Sequence, residues 1–213
     1  MAQIDVDVLI RWIQRSAEVI AENREYLTDL DAAIGDADHG GNMTRGTKAA
    51  SDKLAQTPPA TIGEFGKTVG MTLVSTVGGA SGPLFGTFFM RLGQDAGDAD
   101  SLDVAGLAKA LRAGYEGVVA RGKAEPGDKT MLDAWEPALK ALDEAAASGD
   151  DAADAIAKAA DAADAGRDAT KELVAKKGRA SYLGERALGH LDPGAASTAL
   201  LVRALADELK AAA

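Results

Sequence analysis

The chain has 213 residues, a formal charge of −10, a pI near 4.7 and no cysteine. That length is enough for one well-buried core, and the acidic balance argues against nucleic acid or an anionic membrane as the main partner. The lack of cysteine rules out disulfides and thiolate metal sites, and no apolar run approaches the ~18 residues of a membrane span.

Asp5, Asp7 and Arg11 interrupt the first apolar pattern and exclude a signal-peptide core, so a single cytoplasmic domain over 1–213 is expected. Apolar residues recur at helical spacing almost throughout. Leu9, Ile13, Ala17 and Ile20 mark one stripe of an opening helix that runs into an acidic loop. A second helix is predicted over 43–56, stopped by Pro58 and Pro59. A third runs from Thr61 to the Gly78-Gly79 pair, and a fourth starts at Pro83, a favoured first-turn residue. Ser101 is expected to cap a fifth that closes near Gly122. The sixth covers 129–147, an Ala-rich seventh 151–176, and the eighth 195–212 after a long loop. The pattern predicts an all-α, antiparallel up-and-down array of eight helices with no strand. The polar, Gly-rich loops at 28–42, 78–83, 122–130 and 177–194 all follow odd-numbered helices in that array. They can therefore gather at one end, where a rigid scaffold holds loops for chemistry.

The first of these loops contains D-A-A-I-G-D-A-D-H-G-G-N, Asp31 to Asn42. Asp31, Asp36 and Asp38 converge only if the chain turns sharply, which Gly35, Gly40 and Gly41 permit at little steric cost. Converging carboxylates repel unless a hard cation sits between them, and Mg²⁺ takes carboxylates while sharing its open positions with phosphates. Taken alone, the same residues also make an ordinary solvated turn. An EF-hand begun at Asp36 fails, because Gly40 stands at its fifth position and Thr47 where the closing Glu belongs. The stretch G-V-V-A-R-G-K-A, 117–124, ends in Ala and follows a helix, so it is not a P-loop, and no glycine spacing fits a Rossmann fingerprint.

The other loops read as either turns or phosphate chemistry. Gly78 to Pro83 leads into a helix whose N-terminal N–H groups can meet a phosphate, with the Ser81 hydroxyl as a further donor. Lys177-Gly178-Arg179 offers a guanidinium, which is also an ordinary surface side chain if nothing approaches it. Asp192-Pro193-Gly194 caps the last helix and needs no ligand to explain it. His39 is better placed to contact a phosphate than to act as a base, and His190 reads as a loop histidine hydrogen-bonded to backbone. Trp12, Trp135, Phe85, Phe88 and Phe89 read as core.

Four segments, G-D-A-D-H-G, G-G-A-S-G-P-L-F-G-T-F-F, R-G-K-A-E-P-G-D-K-T-M and K-G-R-A-S-Y-L-G-E-R-A-L-G-H-L-D-P-G, resemble the signature segments of the L subunit of dihydroxyacetone kinase. They stand in the same order and at the same separations, and the likeness runs nearly end to end. Only the Ala- and Asp-rich stretch 143–165 is not a shared motif. The resemblance implies an antiparallel eight-helix barrel holding a nucleotide at one rim. It implies that Asp31, Asp36 and Asp38 hold two Mg²⁺ ions, which in turn hold the phosphates of ADP, or of ATP once ADP is phosphorylated. By the same likeness His39, Gly40, Gly41, Asn42, Ala80, Ser81, Gly122, Met131, Arg179, Asp192, Pro193 and Gly194 contact ADP, with Met131 on the adenine side. Phosphoryl transfer asks mainly for positioning and charge neutralisation, so Arg179 is the expected catalytic residue and no general base is assigned. The implied partners are a K subunit that holds dihydroxyacetone and a phosphohistidine protein of the sugar phosphotransferase system as donor. Two alternatives stay open: a subunit that exchanges ATP freely and serves another small ketose, and an ADP-loaded module docking on a transcription factor. Pairing of two L subunits as a homodimer is likewise left open.

Overall fold

Residues 3–212, described by a computed structural model, form nine α-helices and one short strand pair. The helices are α1 (Val6–Glu22), α2 (Arg24–Ile34), α3 (His39–Gln56), α4 (Ile62–Thr76), α5 (Ser81–Ala96), α6 (Val104–Gly122), α7 (Leu132–Ser148), α8 (Ala152–Ala169) and α9 (Pro193–Ala212). The expected opening helix is thus two. Asn23 breaks it by folding back, its side-chain amide and its backbone N–H both donating to Val19 O at 2.8 and 3.1 Å.

Two other boundaries move for identifiable reasons. Ser101 does not cap α6: it pairs as a strand residue with Asp5, in the antiparallel match of Ile4–Asp5 (β1) with Ser101–Leu102 (β2). Asp103 caps the helix instead, accepting from Gly106 N at 2.7 Å, so the expectation of no strand is corrected by this one short pair. The Ala-rich helix α8 ends at Ala169 rather than near 176. Beyond it the chain makes a 3-10 turn at Thr170–Glu172, and Leu173 is extended.

Helix packing closes a ring. α1 lies against α3, each helix from α3 to α9 lies against the next, and α9 returns to α1. Eight helices therefore make the expected antiparallel barrel, while α2 continues from α1 and packs on α3 and α9. The ring is filled by Trp12, Phe65, Phe85, Phe88, Phe89 and Trp135, all buried. Phe88 stacks on Trp135 with centroids 4.3 Å apart and meets Phe89 edge-on at 5.3 Å. Trp12 Nε1 donates to Leu201 O at 2.7 Å, which ties α1 to α9 at the seam of the ring.

The tightest helix pair, α4 with α5, touches through glycines. A Cβ on Gly66 would stand 2.5 Å from Phe89 O and 2.6 Å from Gly93 Cα, and one on Gly70 would stand 2.6 Å from Gly86 O. These neighbours are backbone and cannot rotate away. Gly66→Ala is expected to lower stability by about 3 kcal/mol, the upper end for overpacking, despite alanine's better helix propensity. Denaturant unfolding of the two chains measures this, and an equally or more stable variant would mean the helices separate freely.

Candidate functional site

The four Gly-rich loops do meet at one end of the barrel, around a cavity of about 670 Å³, within the size range of small-molecule sites. Its lining includes Asp31, Asp36, Asp38, His39, Ala80, Ser81, Gly122, Met131, Arg179, Asp192, Pro193 and Gly194. Gly40, Gly41 and Asn42 do not line it. They lie in the first turn of α3, which begins four residues earlier than expected. Gly40 lets α2 cross closely, since a Cβ there would run into Arg24 O and the Thr28 side chain. Asn42 Oδ1 accepts from Arg45 Nη2 at 2.6 Å.

Asp31 sits at the end of α2 and is buried. Its Oδ2 accepts the backbone N–H groups of Asp38 at 2.9 Å and His39 at 3.1 Å, so one carboxylate folds the loop and starts α3. Gly35 makes this possible, because any Cβ there would fall on the Asp31 carboxylate. Asp36 and Asp38 are exposed, and one oxygen from each of the three aspartates lies within 4.8 Å of the others. Arg179 Nη2 closes the group with a 2.9 Å ion pair to Asp36 Oδ2. The donor set is all carboxylate oxygen, without nitrogen or sulfur, and fits a hard cation such as Mg²⁺ rather than a softer one.

His39 is buried, with its ring nitrogens 3.0 Å from Ser197 Oγ and 3.3 Å from Ser81 Oγ. Burial lowers its pKa, against the pull of Asp31 and Asp38, which keeps the ring neutral at ordinary pH. It therefore joins α3, α5 and α9 beneath the site. The helix ends matter too. Ser81 and His39 each open a helix on the cavity, and first-turn N–H groups present partial positive charge there.

The remaining wall is apolar, formed by Leu84, Phe85, Val118, Met131 and Leu132. Leu84 and Val118 carry no sequence signal beyond an ordinary helix stripe. Asp133 shapes the loop before Met131 by accepting from Gly127 N at 2.5 Å and Thr130 N at 2.7 Å. Lys129, missed in the sequence, also lines the cavity and is buried, with its Nζ among backbone carbonyls. The expected helix over 129–147 starts only at Leu132, and Lys129 stands before it in a left-handed conformation that nothing in the local sequence marks.

Asp192 does cap α9, accepting from Ala195 N at 2.7 Å. Burial pushes its pKa up to about 7, opposed by the capping N–H groups and by Lys129. The folded state then holds a proton that an unfolded aspartate releases near pH 4, so this group's contribution is fully present below pH 4 and is lost as pH rises towards 7. The span corresponds to about 4 kcal/mol. Asp192→Asn, which can still cap, is expected to flatten that slope when unfolding is compared at pH 5 and pH 8. Identical pH slopes in the two chains would show Asp192 titrating as it does unfolded.

Comparison with known proteins shows the family to which the chain belongs. The DAK2 domain matches residues 33–207. The chain is 47% identical to the ADP-binding subunit DhaL of PEP-dependent dihydroxyacetone kinase 1 from Listeria innocua, over 94% of this chain and 96% of that one. It is 46% identical to the corresponding subunit from Escherichia coli, over 93% and 94%. Among solved structures, the dihydroxyacetone kinase of C. freundii in complex with AMP-PNP and Mg²⁺ is 28% identical with a TM-score of 0.72. The similarity covers 93% of this chain but only 33% of that kinase.

Proposed function

The chain belongs to the DAK2 domain family, and on that premise we propose that it is the ADP-binding subunit of a PEP-dependent dihydroxyacetone kinase. The observation that carries this reading is the three-aspartate group beside Arg179, at the edge of a cavity whose other wall is apolar. A nucleoside diphosphate has that same division, a flat base and a charged tail. In this reading Leu84, Val118 and Met131 take the base, and the first turns of α3 and α5 face the phosphates.

Asp31, Asp36 and Asp38 would hold two Mg²⁺ ions, which neutralise phosphate charge when bound. Asp31 does double duty, because the two amides it accepts fix the positions of its neighbours. Arg179 stabilises charge between the β- and γ-phosphates. The acceptor hydroxyl belongs to dihydroxyacetone on a separate K subunit docked over the rim, and a phosphohistidine protein rephosphorylates the bound ADP. The proposal includes a single domain over 1–213 working in the cytoplasm; no helix among the described residues is long and apolar enough to cross a membrane. Docking of the ADP-loaded chain on a transcription factor, and pairing of two copies, are finer proposals on the same rim and helices.

The test is to purify the chain in Mg²⁺ without added nucleotide, denature it and identify what is released. Near-stoichiometric ADP is expected, as for a coenzyme retained through whole cycles. An empty site that exchanges ATP freely would favour the ATP-dependent ketose kinase instead. Absence of any Mg²⁺-dependent nucleotide binding would overturn the site.

A further inference from the structure

Lys129 is the only buried lysine among the described residues, 1% exposed, at a left-handed backbone position (φ 62°). Its Nζ donates to four backbone carbonyls: Thr170 O at 2.8 Å, Leu173 O at 3.2 Å, Ala187 O at 2.7 Å and His190 O at 2.6 Å. Three N–H protons serve four acceptors, so the group is caged as a bound monovalent cation would be. A buried ammonium is tolerated only where such oxygens replace its hydration.

The four carbonyls are not scattered. Two precede and two follow Val174–Arg186, the middle of the long excursion between α8 and α9. That stretch carries Lys177, Gly178, Arg179 and Ala180, all on the cavity wall. One other tie lies near its start, where Lys176 donates its backbone N–H to Asp128 O at 3.0 Å and sets its Nζ 3.3 Å from Asp128 Oδ1. Its apolar contacts are a small cluster of Ile34, Ala175, Ala180 and Ala187 with Leu183, whereas Tyr182 is 85% exposed. The Arg179–Asp36 pair is exposed, and such pairs contribute ~1 kcal/mol or less. The two ends of the excursion meet directly, through Gly189 N to Lys171 O at 2.8 Å and Asp192 N to Thr170 Oγ1 at 3.0 Å, and Lys129 bonds both of them from the loop that also leads into Met131.

We propose that Lys129 is a positioning residue: its ammonium acts as an internal cation that closes the 170–191 excursion and thereby sets Arg179 at the phosphate side of the nucleotide site. The nucleotide part of this rests on the function proposed above. Lys129 touches neither phosphate nor metal; it acts through Arg179.

The experiment is a double-substitution cycle read by ADP affinity in Mg²⁺, using Lys129→Met, Arg179→Ala and both together. Lys129→Met alone is expected to weaken binding about tenfold, the scale of lost outer-shell support, and less than about twofold once Arg179 is already alanine. Equal factors in the two backgrounds would overturn the proposal. In Lys129→Ala the emptied carbonyl cage is expected to take ammonium ion, so ammonium chloride restores affinity where sodium chloride at equal ionic strength does not. Indistinguishable salts would also overturn it, since a merely packed side chain gives no such rescue. Should the variants not fold, hydrogen exchange on the unsubstituted chain still decides. The N–H groups of Leu188 and Gly189, bonded to Glu185 O at 3.0 Å and Lys171 O at 2.8 Å, are expected to exchange as slowly as those of α9. Exchange at open-loop rates would refute closure. If the unsubstituted chain binds no ADP, the nucleotide reading fails while slow exchange still supports a closed excursion, so the two failures are separable.

Discussion

Asp38→Asn is expected to weaken Mg²⁺-dependent ADP binding by more than about 100-fold, beyond the 10–100-fold typical of lost outer-shell partners, while moving the unfolding midpoint by less than about 2 °C. The separation of the two effects follows from what the side chain touches. Asp38 is exposed and stands at the N-cap position of α3 without making a side-chain cap bond. Its backbone N–H, not its carboxylate, is held by Asp31. Asparagine is nearly the same size, so the loop keeps its shape and loses one charge among three. Asp31→Asn gives the contrasting result. It removes a charge whose oxygen also accepts two backbone amides, so it is expected to lose about 1–3 kcal/mol of stability as well as metal-dependent binding. Titration calorimetry with and without Mg²⁺, beside thermal unfolding, reads both quantities. Wild-type affinity in Asp38→Asn would remove this aspartate from the metal set.

What could be read from the residues alone divides along a physical line. Periodicity reports which face of a helix is buried, so eight helical stretches and their core aromatics were legible from stripes such as Leu9, Ile13 and Ile20. The order of loops then placed four Gly-rich segments at one end, and the cavity is where that arithmetic puts it. Closure of the ring through α9 on α1 has no local signal, because it depends on crossing angles summed around all the helices. Boundaries failed where two local solutions compete. Ser101 and Asp103 are both good caps, and the choice fell to a two-residue pairing with a segment nearly a hundred positions away. Gly40 and Gly41 read as a turn, whereas Gly40 serves an interhelical contact inside α3. Residues whose roles are wholly tertiary were the least legible. The hydrogen bonds by which His39, at the cavity wall, also joins three helices had no local signal, and Lys129, expected to open the 129–147 helix, precedes it and is caged.

Arg179→Ala is expected to slow phosphoryl transfer to dihydroxyacetone on the K subunit about 1000-fold, the lower range for an arginine stabilising a transferring phosphoryl group, and to weaken ADP binding only about tenfold. The asymmetry is the content of the prediction. Charge between the β- and γ-oxygens grows as the bond breaks, so a guanidinium placed there stabilises the transition state more than bound ADP. The residue contributes little else: its side chain is 69% exposed and its one ion pair, to Asp36, is on the surface. Stability should therefore be unchanged in the variant, and a fall in turnover cannot be ascribed to misfolding. Arg179→Lys keeps the charge but gives up the planar fork, so it is expected to recover part of the rate and most of the affinity. The measurement is a single-turnover transfer from the ATP-loaded chain to dihydroxyacetone on the K subunit, with the partner in excess so that docking does not limit the rate. A variant that transfers at the wild-type rate would leave Arg179 an ordinary surface arginine, and the stabilisation of the transferring group would then fall to the aspartate-held metals and the two helix N-termini alone.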